Sequence, residues 1–318
     1  MTRSFLHFSP AVAAARRDRR PLVALESSVL AQGLPIPANR DAAVGMTEAV
    51  KRGGAVPAVT ALVRGRPTFG LEGEDMERFL ARDGVAKVSS RDLGAVRARG
   101  GDGPTTVAAT LTLCRAVGVP VFATGGIGGV HRAPAFDESA DLLELSRTSA
   151  IVVCAGAKAI LDLPATLERL ETLGVAVVGY RTNELPGFFS EGTGLPVPHR
   201  SDDPEEIARI FLGMRRVGHP GALLVVQRPP REHALDRELV ERALSGALRD
   251  AEVGGVRGSA MTPVLLAAIQ EATGGRSLAA NLALLSANAY LAARLSVALM
   301  DAGANATDGE NAGVIRAG

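Results

Sequence analysis

The chain has 318 residues, a net charge of +1, and 47% apolar against 22% charged residues, the balance of a folded protein with a sizeable core. So even a charge excludes a broad electrostatic surface for nucleic acid or anionic lipid, and 3% aromatics without Trp leave little to stack on bases. The first twenty residues carry Arg and no long apolar core, and no uninterrupted apolar run reaches the roughly 20 residues of a membrane span.

The elements alternate from the start. Pro21 to Leu25 reads as a short strand that delivers Glu26-Ser27-Ser28, and the loop around Pro35 and Pro37 cannot be helix interior. Asn39 is placed as the cap of a helix over Arg40–Arg52. A strand over Ala55–Val63, a helix over Glu72–Ala81 and a short strand over Val85–Val88 follow, the last carrying Lys87. A glycine-rich turn leads through Thr105-Thr106 into a helix over Val107–Val117, then a strand over Val119–Ala123.

The turn Gly125-Gly126-Ile127-Gly128-Gly129 precedes a helix expected over Asp137–Leu145, with Asp137 and Asp141 four apart on one face. Ile151–Cys154 and Val175–Gly179 read as strands around a helix over Pro164–Leu173. After a loop-rich stretch with Pro186, Pro196 and Pro198 come a helix over Pro204–Arg216 and a strand over Ala222–Gln227. Helices are expected over Asp236–Glu252, Pro263–Thr273 and Leu278–Leu299, with the tail 301–318 disordered. Short strands alternating with helices imply an α/β fold: one large domain with a mostly parallel central sheet flanked by helices.

Only three of the 35 basic residues are lysine, Lys51, Lys87 and Lys158. Arginine cannot lose its proton and so cannot serve as an amine nucleophile, which draws attention to lysines in such a chain. Lys51, beside Arg52 at a helix end, reads as a solvated charge. Lys158 follows a strand and small residues, a setting read as a dry helix start that favours the neutral amine, although a surface ion pair also suits the pattern. An amine of that kind attacks carbonyls and forms imines. Glu26, at a strand end, suits a general acid or a solvent-facing loop carboxylate.

Thr105 and Thr106 suit an anion site at a helix start, or an ordinary cap. Asp137 and Asp141 offer hard oxygen ligands for Mn²⁺ or Mg²⁺, or a negatively charged helix start. Neither G-x-G-x-x-G nor the P-loop pattern is complete, which argues against a nucleotide cofactor. Cys114 and Cys154 lie in apolar runs without metal spacing, so buried free thiols and a cytoplasmic location are expected.

Several stretches together resemble the pseudouridine-5′-phosphate glycosidase (indigoidine synthase A-like) family: ALESSVLAQGLPIPANRDAA (24–43), KVSSRDL (87–93), TTVAATLTLCRAVGVPVFATGGIGGVHR (105–132), FDESADLLEL (136–145), VVCAGAKAILDLPATLERLETLGVAVVGY (152–180) and GGRSLAANLALLSANA (274–289). The resemblance implies reversible cleavage of the C–C glycosidic bond of pseudouridine 5′-phosphate to uracil and ribose 5-phosphate. It implies Lys158 as the imine-forming nucleophile and Glu26 as proton donor. Lys87, Thr105, Thr106, Val107, Ser139, Ala140 and Asp141 fall on substrate-binding positions and Asp137 on the Mn²⁺ ligand. It further implies a homotrimer. Ser259, Val264 and Gln32 depart from the family pattern, as do Asn183-Glu184-Leu185 and Ala287, which bears on substrate range. The alternatives are another Schiff-base sugar-phosphate lyase or aldolase, and a non-catalytic accessory protein of a pigment pathway.

Overall fold

The computed structural model describes residues 5–132, 137–254 and 261–314. Its strands are β1 (His7–Phe8), β2 (Leu22–Leu25), β3 (Val56–Val63), β4 (Arg66–Phe69), β5 (Gly103–Pro104), β6 (Val121–Ala123), β7 (Val130–His131), β8 (Ile151–Cys154), β9 (Leu161–Asp162), β10 (Ala176–Tyr180), β11 (His199–Ser201) and β12 (Leu223–Gln227). The helices are α1 (Pro10–Arg17), α2 (Ala38–Arg52), α3 (Gly73–Ala81), α4 (Leu93–Ala98), α5 (Val107–Val117), α6 (Ala140–Ser146), α7 (Leu163–Thr172), α8 (Pro204–Arg216), α9 (Arg237–Val253), α10 (Met261–Ala272) and α11 (Arg276–Val314).

The main sheet has the order β1-β4-β3-β2-β6-β8-β12-β10-β11, with β5 beside β3. From β3 to β11 its neighbours are parallel; only β4 and β5 run antiparallel to β3. The expected fold class holds. Its central strands, LVAL, VFA and IVVC, are buried along their whole length, as strands covered on both faces must be.

The connections explain where the helices lie. After β2 the chain crosses through α2 to β3 on one side, whereas α5, α6 and α7 belong to crossovers running the opposite way, and right-handed crossovers therefore put the two sets on opposite faces. The return from β11 through α8 to β12 sets α8 on the α2 face, and α11 packs between α2 and α8. The direction of winding thus reverses next to β2 and β6. A crevice at the carboxyl ends of those two strands is the expected place for a ligand.

By length and mean hydropathy alone α11 could cross a membrane, but Asn281, Ser286, Asn288 and Arg294 interrupt its apolar run, and it packs on α2, α8 and the central strands. It continues to Val314, past the expected end at Leu299 and through much of the stretch read as a disordered tail. Ser296 donates to Leu22 O at the start of β2 (3.0 Å), while Asn288 reaches the loop after β6, so α11 runs antiparallel to the parallel strands.

Three local expectations fail. Asn39 does not cap α2 but lies inside its first turn, where its buried amide donates to Leu30 O (3.0 Å) and Leu80 O (2.8 Å). Val85–Val88 forms only two isolated bridges, to Asp102 and Thr105. α6 begins at Ala140, because Ser139 caps it by accepting from Asp141 N (3.2 Å); Asp137 therefore lies outside the helix and does not share a helical face with Asp141.

Glu144 on α6 is buried and takes guanidinium contacts from Arg147 and, at 3.1 Å, Arg115. Burial pushes its carboxyl up, but the Arg147 hydrogen bond and charge, with Ser90 and Arg115, outweigh that and hold it below the ordinary carboxylate range. A group depressed in the folded state contributes stability above its unfolded pKa and loses it as pH falls through the folded value. Glu144→Gln is therefore expected to be less stable than the parent at neutral pH. Thermal melts from about pH 7 to about pH 3 should show that gap closing as the parent's carboxylate is protonated.

Candidate active site

β2, β6 and β8 end side by side, and each delivers one part of the site. Glu26, directly after β2, is 3% exposed. Its carboxylate accepts from Ser28 Oγ and from Thr124 Oγ1, the residue directly after β6. The setting is thus polar at the carboxylate, and the residue is buried, not the solvent-facing loop carboxylate that was the other reading. Neighbouring hydroxyls bracket the strand end: Ser27 Oγ donates to Thr60 O (2.6 Å), and Thr105 N donates to Ser27 Oγ (2.9 Å).

The glycine turn and the segment after β8 continue the sheet pairing beyond the strands. Ala155 N donates to Gly125 O (2.9 Å), Ile127 N to Gly156 O (3.1 Å) and Lys158 N to Ile127 O (3.1 Å). Lys158 is therefore fixed by extended pairing, not by a helix start: α7 begins five residues later, at Leu163. Its side chain is half-buried and has no ion pair among the described residues. β2 and β8 flank β6, so these two strands lie about 10 Å apart, with Glu26 directly after β2 and Lys158 four residues after the end of β8.

The glycines serve close approach to protein neighbours. A methyl group at Gly126 would stand 2.6 Å from the Phe188 ring, and one at Gly128 would stand 2.9 Å from Asp141 Oδ2 and overlap Ser139. Asp141, 6% exposed, has both oxygens engaged: Oδ1 accepts from Ala108 N in the first turn of α5 (2.9 Å) and Oδ2 from Gly128 N (2.8 Å). One carboxylate thereby locks the helix start to the glycine turn. Ala140, beside it, is exposed.

Other expected residues divide into structural and open. Thr105 is fully buried, its hydroxyl 2.8 Å from Thr60 Oγ1 and 3.1 Å from Thr110 Oγ1, so it braces β3 against α5. Thr106 caps α5, accepting from Ala109 N (3.3 Å). The N–H of Val107, a buried residue at the start of α5, has no hydrogen-bond partner among the described residues. Lys87 is exposed beside them, because Val88 pairs with Pro104 and Thr106 on either side (2.9 and 3.0 Å).

Asp137 is half-buried, and its carbonyl accepts from His131 N (2.9 Å). Among the described residues no three His, Cys, Asp or Glu side chains cluster to hold a metal. Cys114 and Cys154 are free and buried; burial pushes the Cys154 thiol up to about 12 and Cys114 higher still, which leaves both inert. Of the departures from the family pattern, Ser259 lies outside the described residues, and Val264 is exposed.

Two residues that the sequence did not single out complete the frame. Asn288 of α11, 1% exposed, donates to Thr124 O (2.8 Å) and Gly125 O (3.2 Å) and accepts from Gln227 Nε2 at the end of β12 (2.8 Å). An asparagine within the apolar run ALLSANAYLAA was the available signal, since a buried amide needs partners.

Comparison with known proteins extends these observations. A family model described as "Indigoidine synthase A like protein" matches residues 11–298. A pseudouridine-5′-phosphate glycosidase from Gemmatimonas aurantiaca is 64% identical over 280 residues, covering 88% of this chain and 92% of its own. One from Herpetosiphon aurantiacus is 49% identical, over 92% of this chain and 98% of its own. Among solved structures, a prealnumycin C-glycosynthase in complex with ribulose 5-phosphate superposes with a TM-score of 0.89 at 39% identity, covering 94% of this chain and 98% of its own. An indigoidine synthase A-like protein from Thermotoga maritima gives 0.84 at 35% identity, over 94% and 99%.

Proposed function

The chain belongs to the indigoidine synthase A like protein family, and we propose from that premise a reaction carried by Lys158 and Glu26. It is an enzyme that reversibly cleaves the C–C glycosidic bond of pseudouridine 5′-phosphate to uracil and ribose 5-phosphate. The observation that supports the assignment of residues is the placement of a buried acid directly after one strand flanking β6 and of a half-buried lysine in the segment that follows the other.

A carbon leaving group offers no lone pair to protonate, so the usual two-carboxylate device of glycosidases has nothing to act on. A lysine nitrogen bonded to C1′ supplies the driving electron pair instead and ends as an imine. Lys158 Nζ bonds to C1′ as the C1′–O4′ bond breaks, and O4′ takes a proton from Glu26. The proton that the nitrogen then sheds returns to Glu26. The nitrogen lone pair next forms C1′=N⁺ as the bond from C1′ to the base breaks, its electron pair leaving with the uracil carbon, which takes the proton from Glu26; the water that later adds to the imine gives a proton back to Glu26. Water adds to the imine, releases ribose 5-phosphate as the aldehyde and restores the amine. Ser28 and Thr124 hold the Glu26 carboxyl in place throughout.

We assign substrate binding to Lys87, the Thr105-Thr106-Val107 helix start and Ser139-Ala140-Asp141. Lys87 and the free Val107 amide suit an anionic phosphate, while Thr105 and Asp141 act through the backbone they hold. Asp137 is proposed to hold Mn²⁺. A single half-buried carboxylate with no three-donor cluster among the described residues suits a hard cation that keeps most of its water. When bound, the ion supplies positive charge beside the substrate's anionic groups. A cytoplasmic homotrimer completes the proposal, its mass to be read by light scattering.

The deciding experiment incubates the protein with pseudouridine 5′-phosphate and Mn²⁺. Equal amounts of uracil and ribose 5-phosphate are expected. Aldehyde release from other sugar phosphates without any uracil would replace this assignment with a Schiff-base aldolase.

A further inference from the structure

Arg132 sits directly after β7, 24% exposed at its side chain, and touches two elements distant in the chain. Its Nε donates to Leu161 O (3.2 Å) and its Nη2 to Ala159 O (3.3 Å). Its Nη1 and Nη2 donate to the two carboxylate oxygens of Glu241 on α9, each at 3.0 Å. One edge of the planar guanidinium thus faces two carbonyls while its end meets a carboxylate, an arrangement that uses four of its five donors.

The two carbonyls belong to the turn that begins at Lys158. Leu161 N donates to Lys158 O (3.0 Å) and closes that turn, and Lys158 N is tied to the glycine turn at Ile127 O. The backbone of Lys158 is therefore held upstream by the sheet extension and downstream by the guanidinium. Glu241 fixes the plane of that guanidinium from α9. The carbonyls that Arg132 holds belong to the turn that carries Lys158, so this contact bears on the reaction through Lys158.

We propose that Arg132, oriented by Glu241, is a positioning residue that sets the reach of the Lys158 amine toward C1′. The inference rests on Lys158 being the nucleophile. A nucleophile displaced by about 1 Å loses rate on the order of a hundredfold, whereas substrate held by other residues binds as before. A lysine at 132 keeps the charge but places its donors at one point and cannot span two carbonyls and a carboxylate.

The test mixes enzyme with saturating pseudouridine 5′-phosphate, quenches at intervals into borohydride, and follows the reduced sugar adduct by mass spectrometry with peptide mapping. For Arg132→Lys the adduct should form about ten- to a hundredfold more slowly but reach full amplitude, with kcat falling alike and KM within about threefold of the parent. Glu241→Gln, which leaves one carbonyl oxygen for the fork, should fall between the two. A parental rate at reduced amplitude would show only a smaller folded fraction and overturn the proposal, as would KM rising with kcat unchanged. Should Arg132→Lys not fold, Glu241→Gln decides alone, its parental rate overturning the proposal. An adduct on a lysine other than Lys158 would instead sink the nucleophile assignment, a distinguishable failure.

Discussion

Lys158→Ala is expected to cut uracil release from pseudouridine 5′-phosphate by about 10⁴-fold or more, the scale seen when a covalent nucleophile is removed. The loss should come without unfolding. The Lys158 side chain carries no ion pair among the described residues, and the bonds that fix the residue, to Ile127 O and from Leu161 N, are made by its backbone. A change of this kind away from buried partners costs roughly 0.5 kcal/mol or less. Lys158→Arg sharpens the test. It keeps length and charge, yet a guanidinium cannot shed its proton to become an amine nucleophile, so it should be as inactive as alanine. Uracil release measured with borohydride trapping separates chemistry from binding: the parent gains a sugar adduct at Lys158, and both variants gain none. Turnover of Lys158→Ala within about tenfold of the parent would remove the imine from the mechanism.

How much of this was legible beforehand follows from the range over which each residue's partners lie. β2, β6, β8 and β12 showed in the sequence because both their faces are buried, which leaves continuous apolar runs ending at glycine or polar residues. Lys158 stood out by composition, in a chain that otherwise uses arginine. The helix containing Asp137 was misplaced because a spacing of four suggests one face only if both residues are helical, and Ser139 starts α6 too late for that. Asn288 and Arg132 escaped notice for a different reason. Their partners Thr124 and Glu241 lie 164 and 109 residues away, and no local pattern encodes a contact at that separation.

Asp141 shows the same limit and yields the second large effect. As a residue type at a helix start it suits a ligand contact, but its two oxygens instead serve Ala108 N and Gly128 N. Asp141→Ala strips both buried amides of their acceptor. At about 1–3 kcal/mol for each unsatisfied group, the variant should lose roughly 2–6 kcal/mol, a large share of a typical domain's stability. Asp141→Asn should do little better, since its NH₂ must face one of the two N–H groups. Denaturant unfolding beside kcat/KM discriminates the roles. A carboxylate that bound substrate directly would leave the Asp141→Asn variant as stable as the parent and only raise KM. A carboxylate that builds the site must cost stability first, and activity falls because the α5 start and the glycine turn no longer hold their spacing. The closeness of Gly128 to Asp141 Oδ2 points to the second outcome, because the turn can approach only where no side chain intervenes.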